Sequence, residues 1–248
     1  MTFYLNIENL QAEFVKQKFN FQFKSGKIYL ITGKNGAGKS TFAQILAGNP
    51  EYKIQSGKIF LSKDNNYQLQ NTKLIKNNNQ DETKNFWLGN SQFLDITKLS
   101  IPERFLAEIM VLFQNPTEIP GVIFAEFIKS AIKQKELFYN LPKTSITEIL
   151  KLLKTTLEKV ELESNFYQRE VNFGLSGGEK KKTELAQMLI LKPKIVILDE
   201  IDSGLDSSSK ENFRKILKDY SNSENILIII SHNPDFTEDL KIEKIQID

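Results

Sequence analysis

Gly33-Lys34-Asn35-Gly36-Ala37-Gly38-Lys39-Ser40 fills the pattern G-x-x-x-x-G-K-S/T, and it stands between an apolar stretch at 27–32 and a helix-like stretch at 39–47. The pattern is meaningful when a strand feeds a helix directly, because the glycines then let backbone N–H groups turn inward around phosphate oxygens. The helix N-terminus adds a dipole favourable to an anion. In this setting Lys39 reaches β- and γ-phosphates, the Ser40 hydroxyl sits on Mg²⁺, and Thr41 contacts the α-phosphate side. A strand–loop–helix unit of this kind commits the chain to an α/β fold.

Composition narrows the class. The chain has 248 residues and is 40% hydrophobic, enough for one large domain with a sizeable core. Lys and Arg number 33 against 31 Asp and Glu, a net charge of +2, so no single-sign field marks a nucleic-acid binder. There is no cysteine. Disulfides, thiolate metal sites, cysteine nucleophiles and any cluster held by this chain's own thiolates are therefore excluded. The N-terminus enters a strand-like run at once, with no signal-type pattern. The most apolar run, at 226–230, is far too short to span a bilayer. The expectation is a soluble intracellular protein without direct membrane insertion.

Phe19-Asn20-Phe21-Gln22-Phe23 alternates as a half-buried strand does. Ser25-Gly26 turns it into the strand at 27–32, Gly48-Asn49-Pro50 ends the first helix, and 54–61 is a further strand. Residues 62–93 are polar and Asn-rich, a long surface insertion carrying the only tryptophan, Trp87. Phe124, Phe127, Ile128, Ala131 and Ile132 share one helical face. Ser145-Ile146-Thr147-Glu148 is a capping box, with Ile149, Leu150, Leu153, Leu157 and Val160 continuing the stripe behind it. Both stripes read chiefly as helix packing. Ile119, Val122, Phe124 and Phe127 are also the expected docking face for a partner. The runs at 195–198 and 226–230 are continuously apolar, as in a parallel sheet covered on both faces. The region of about 100–170 thus reads as a helical subdomain inserted in an α/β core, all within one domain, 1–248.

Asp199 and Glu200 end the strand at 195–198. A carboxylate there holds Mg²⁺ through water, and its neighbour orients the attacking water; Asp199 takes the metal and Glu200 the water. His232, the only histidine, lies just beyond the strand at 226–230, where α/β folds place ligands. It can bond a γ-phosphate and link it to Glu200. Ser203-Gly204-Leu205-Asp206 follows as a loop, with Asp206 also suited to cap a helix. Leu175-Ser176-Gly177-Gly178-Glu179 lies upstream, a loop-to-helix start.

The series 33–41, Gln114, 175–179, 195–200, 203–206 and His232 resembles the motif order of ABC ATPases across nearly the whole chain. Within that superfamily three stretches resemble SufC, the ATPase of the Suf iron–sulfur cluster assembly system. They are Gln114-Asn115-Pro116-Thr117-Glu118-Ile119-Pro120-Gly121-Val122, Leu175-Ser176-Gly177-Gly178-Glu179-Lys180-Lys181-Lys182, and Asp199-Glu200-Ile201-Asp202-Ser203-Gly204-Leu205-Asp206. The resemblance implies an ABC-type P-loop ATPase core with a mixed sheet, binding ATP and Mg²⁺ in the cytoplasm or an organelle stroma. It implies that Gln114 completes the metal and water shell. It further implies two copies on a SufB–SufD-type scaffold that close on two ATPs. Each ATP would lie between one phosphate loop and the other copy's Ser176, Gly177, Gly178 and Glu179, with Asp206 facing the same interface. Three departures stand out: the length of 62–93, an adenine-stacking aromatic for which Phe14 is the candidate, and Lys182 where the family more often has arginine.

Lys180, Lys181 and Lys182 fall in the first turn of the helix that begins near Gly177, where positive charge opposes the dipole. At least two read as solvated; Lys181 is expected to pair with Glu200 and hold it off the water. A transporter's nucleotide-binding subunit is the competing reading. A DNA-repair or translation ABC protein would carry a coiled-coil insertion or a second cassette, and the chain has neither.

Overall fold

Half-buried alternation, clearest at 19–23, and continuous apolarity, clearest at 195–198 and 226–230, fall in different sheets. The computed structural model describes residues 2–13, 15, 17–63 and 93–247. Phe14, Trp87 and most of the polar stretch 62–93 lie outside the described residues. In chain order come β1 (Tyr4–Ala12), β2 (Phe19–Lys24), β3 (Lys27–Gly33), α1 (Lys39–Ala47), β4 (Ile54–Ser62), β5 (Phe93–Asp95) and α2 (Ile101–Leu106). There follow β6 (Ile109–Leu112), β7 (Ile119–Ile123), α3 (Phe124–Tyr139), α4 (Ile146–Lys159) and β8 (Glu170–Val171). The chain closes with α5 (Gly177–Leu191), β9 (Ile195–Asp199), α6 (Ser207–Tyr220), β10 (Ile226–Ile230) and β11 (Ile242–Ile247).

The alternating β2 lies at one edge of an antiparallel sheet in the order β2-β1-β4-β5. The continuously apolar β9 and β10 are the inner strands of a parallel sheet, β11-β3-β10-β9-β6, whose edge strand β11 is only half-buried. β9 and β10 are buried throughout. Their side chains split by parity, as a period of two demands. Ile195, Ile197, Ile226, Ile228 and Ile230 pack toward the antiparallel sheet and α1. Val196, Leu198, Leu227 and Ile229 pack toward α5, α6 and the α3–α4 pair. The parallel sheet is therefore the middle layer, and the aromatics Phe19, Phe23, Tyr29 and Phe42 fill the space between it and the antiparallel sheet.

β6 lies inside the stretch 100–170 yet pairs with β9 in the parallel sheet. The helical unit is accordingly bounded by β7 and β8, which pair antiparallel with Ile119 opposite Val171. The stripes of α3 and α4 face inward: Phe124, Ile128, Ile149, Leu153, Leu157 and Val160 are buried. This corrects the docking face expected from sequence. Phe124 is a core residue, and Ile119, Val122 and Phe127 pack partly buried against that core. The large apolar side chains left exposed on this unit are Ile123, Leu137, Leu141 and Ile146.

Arg104, buried in α2, secures the end of α1. It donates to Leu46 O and Leu99 O at 3.0 Å and to Thr97 O at 3.2 Å. Leu46 belongs to the last turn of α1, where a cation complements the helix dipole. Burial pushes the Arg104 guanidinium down to about 10.

Candidate nucleotide site

The phosphate loop joins the C-terminal end of β3 to α1. Gly33 has no room for a side chain, since a Cβ there would meet Ile247 O at 2.1 Å. Gly38 holds φ +94° at the start of α1, a left-handed conformation that favours glycine, with Val15 and Phe19 packed close against it. Lys39 turns back along the loop, its ammonium donating to Gly33 O and Lys34 O at 2.9 Å each. Burial pushes its pKa down, countered by the carboxylates of Glu200 and Asp199. Gln17 adds a brace, donating to Ala37 O at 3.0 Å. Lys34, Asn35 and Gly36 form the exposed rim with Ala37 half-buried behind them, and apart from Gly36's chain neighbours none of the described residues comes within 4 Å of where a Gly36 side chain would start.

The parallel register brings the acidic strand end to this loop. Ser40 Oγ lies 3.3 Å from Asp199 Oδ1 across the gap between α1 and β9. Burial raises the Asp199 carboxyl to about 6, the Ser40 bond opposing and the charge of Glu200 adding. A hydroxyl and a carboxylate converging at a phosphate loop suit a hard cation such as Mg²⁺, which takes few protein oxygens and keeps waters and phosphate oxygens. Thr41 follows Ser40 in the first turn of α1.

Glu200 is held by both carboxylate oxygens. Gln114 Nε2 donates to Oε2 at 2.6 Å, and His232 Nε2 lies 3.2 Å from Oε1. Its backbone sits at φ +50°, uncommon for a residue with a side chain. Lys181 supports that conformation. Its ammonium donates to Glu200 O at 3.0 Å, to Ser203 Oγ at 2.7 Å, and to Ser203 O. The expected Lys181 pairing thus goes to the main chain of Glu200, while the carboxylate belongs to Gln114 and His232. Lys181 is buried, so it is not a solvated lysine, and burial lowers its pKa. Lys180 and Lys182 bind Glu118 at 2.5 Å and Glu161 at 3.0 Å.

Ser176 and Glu179 form a capping box on α5: Glu179 N–H donates to Ser176 Oγ at 3.3 Å, and Ser176 N–H to Glu179 Oε2 at 2.8 Å. That bond from the Ser176 N–H is the main reason the Glu179 carboxyl lies below the usual range. Ser176 and Gly177 remain exposed, and the Ser176 side chain adds to the lowering of the Glu179 carboxyl. Asp206 caps α6 by accepting from Ser209 N–H at 2.7 Å, as its sequence position suggests. Ser176, Gly178, Glu179, Leu205 and Asp206 share a cavity of about 300 Å³ with Phe166 and Arg169.

The profile of the ABC transporter family matches residues 16–203, more than half of the chain. The chain belongs to the ABC ATPases. A probable ATP-dependent transporter ycf16 of Antithamnion sp. is 34% identical over 98% of this chain and 86% of its own length. The iron–sulfur cluster assembly protein SufC of Plasmodium falciparum is 36% identical over 92% of this chain and 57% of its own. Such relatives make it a SufC-type ABC ATPase. In fold it is similar to the ATP-binding cassette MJ0796, solved as a dimer in a post-hydrolysis state bound to ADP and Pi. That likeness has a TM-score of 0.71 at 20% identity, covering 98% of this chain and 96% of that one.

As an ABC ATPase the chain binds and hydrolyses ATP. The fold brings Lys39, Ser40, Asp199, Glu200, Gln114 and His232 to one place; Ser176, Gly178, Glu179 and Asp206 gather at the separate cavity, which Gly177 does not line. Three residues escaped the sequence reading: Asn172 and Glu184 beside the Gln114 segment, and Arg104 at the far end of α1. Arg104 follows Ser100-Ile101-Pro102-Glu103, a legible capping box that announces α2. Asn172 lies at φ +58°, and an Asn two residues before Gly174 is a signal for that turn. Glu184 gives no signal, because a charged residue on α5 reads as solvated until the helix proves buried on nearly every side. Burial raises its carboxyl to about 8. Among the described residues no helix is long and apolar enough to cross a membrane.

Proposed function

We propose that this chain is the ATP-binding and hydrolysing subunit of a Suf-type iron–sulfur cluster assembly complex. The observation that carries the reading is the similarity to the Plasmodium falciparum SufC over 92% of the chain. The absence of cysteine agrees with it, since the cluster then rests on partner chains.

In the proposed reaction Glu200 is the base. Water attacks the γ-phosphorus, the bond to the ADP oxygen breaks, and the water's proton passes to Glu200. Gln114 and His232 occupy one lone pair on each carboxylate oxygen, so a further acceptor site stays free for the water. Lys39 and the loop N–H groups from Gly33 to Thr41 hold the phosphates. Ser40, Asp199 and the amide oxygen of Gln114 would hold Mg²⁺, which supplies neutralising charge on the β- and γ-oxygens. His232 adds a contact to the γ-phosphate. Two copies close on two ATPs, with Ser176, Gly177, Gly178, Glu179 and the Asp206 loop of each facing the phosphate loop of the other. The whole chain, 1–248, acts as one ABC ATPase domain with its helical subdomain, in the cytoplasm or an organelle stroma. Closure is the step that remodels a SufB–SufD-type scaffold.

The Antithamnion relative, a probable ATP-dependent transporter, favours a second reading, the nucleotide-binding subunit of a membrane transporter. Affinity purification of the full chain from its own cells, with the co-purifying proteins identified, separates the two. A cysteine-bearing soluble scaffold supports the assembly reading; an integral membrane protein in its place overturns it.

A further inference from the structure

β7 follows the segment carrying Gln114, β8 precedes Ser176, and the two strands pair, so both segments leave the same two-stranded sheet. Three side chains bind them further. Phe113 N–H donates to Glu184 Oε2 at 3.0 Å. Asn172 Nδ2 donates to Thr117 O at 2.9 Å. Lys180 Nζ donates to Glu118 Oε1 at 2.5 Å. Gln114 is thus held from both sides, by Glu184 through Phe113 and by Asn172 and Lys180 through Thr117 and Glu118. Ser176, Lys180 and Glu184 are spaced by four along the chain, so the cap of α5 and both of its contacts lie on one face of the helix. Asn172 and Glu184 are buried, where water does not compete for their bonds.

We infer that Asn172, Lys180 and Glu184 are positioning residues that lock the Gln114 segment to Ser176. A shift of Gln114 at one nucleotide site is then delivered through α5 to the serine that completes the second copy's site. The inference rests on the two-copy reading above. A packed helix moves as a body, so contacts at two points along α5 carry a displacement to its N-terminus instead of absorbing it.

The test uses the full chain with Lys180→Glu, Glu118→Lys and the two together, reading kcat, ATP Kd by nucleotide titration, and Tm. Each single reversal is expected to lower kcat by roughly threefold to tenfold while Kd and Tm stay near the parent's, and the swapped pair to recover most of the loss. Asn172→Gly, which removes the donor and suits the left-handed backbone at φ +58°, is expected to lower kcat in the same way. Unchanged kcat in all single variants, or a swapped pair no better than the worse single one, overturns the inference. Parallel losses of kcat and Tm overturn it as well, since they mark a merely structural role. A Glu200→Gln chain that stays monomeric with ATP overturns the two-copy reading and the inference with it. A Glu200→Gln chain that dimerises while the reversals do nothing overturns the inference alone.

Discussion

The side-chain amide of Gln114 donates to the carboxylate of Glu200 at 2.6 Å, so the segment after β6 is tied directly to the residue after β9. His232 engages the other carboxylate oxygen at 3.2 Å. A carboxylate held at both oxygens has a fixed orientation, and on the proposed role its removal should cost chemistry more than binding. Glu200→Gln is expected to slow hydrolysis by about 100-fold or more, the usual scale for a general base. It should retain ATP and accumulate as an ATP-bound dimer. Turnover by phosphate release and mass by size-exclusion chromatography check this; normal turnover removes Glu200 from the role.

Lys39 is the cation of the phosphate loop, and its ammonium already lies along the carbonyls of Gly33 and Lys34. Lys39→Ala should abolish ATP binding or turnover. A nucleotide titration reads the first and a steady-state assay the second. Retention of both would detach the loop from phosphate recognition.

Arg104 should matter for stability and not for chemistry. Its three carbonyl partners lie on α1 and on the segment before α2, away from Glu200. Arg104→Ala strands buried carbonyls and opens a space beside Gly48, for an expected loss of about 2–4 kcal/mol. Urea unfolding measures it, and a midpoint equal to the parent's would refute the account.

Glu184 predicts a pH dependence. Its carboxyl is raised from 4.5 to about 8 in the fold, chiefly by burial, with the Phe113 N–H bond and the charge of Lys181 opposing. The folded state therefore favours the protonated form. This contribution is fully present below 4.5 and is lost as pH rises through about 8. Glu184→Gln keeps an acceptor for Phe113 N–H and cannot ionise. Unfolding midpoints from pH 6 to 9 should fall less steeply for the variant, with the variant the more stable above roughly pH 8. Equal slopes would show that Glu184 does not titrate in this range.

Local chemistry in the sequence determined much of this protein. The glycine-rich loop between an apolar run and a helix became β3 and α1, and α1 spans the predicted 39–47. The runs at 195–198 and 226–230 became β9 and β10 because unbroken apolarity is stable only between two covered faces. The capping box at Ser145 starts α4 where its side chains require. These signals act over a few residues, so a linear reading captures them.

Tertiary structure decided the rest. Whether Phe124 is an anchor or a core residue depends on what the other face of α3 meets, which periodicity leaves open. The partner of Lys181 was settled by the left-handed turn at Glu200, which presents a carbonyl to the ammonium and sends the carboxylate toward Gln114 and His232. Asn172, Lys180 and Glu184 meet the Gln114 segment from sites 55 to 71 residues away. Contacts at that separation have no pattern in the chain, because they exist only once β7 pairs with β8 and α5 packs against the sheet.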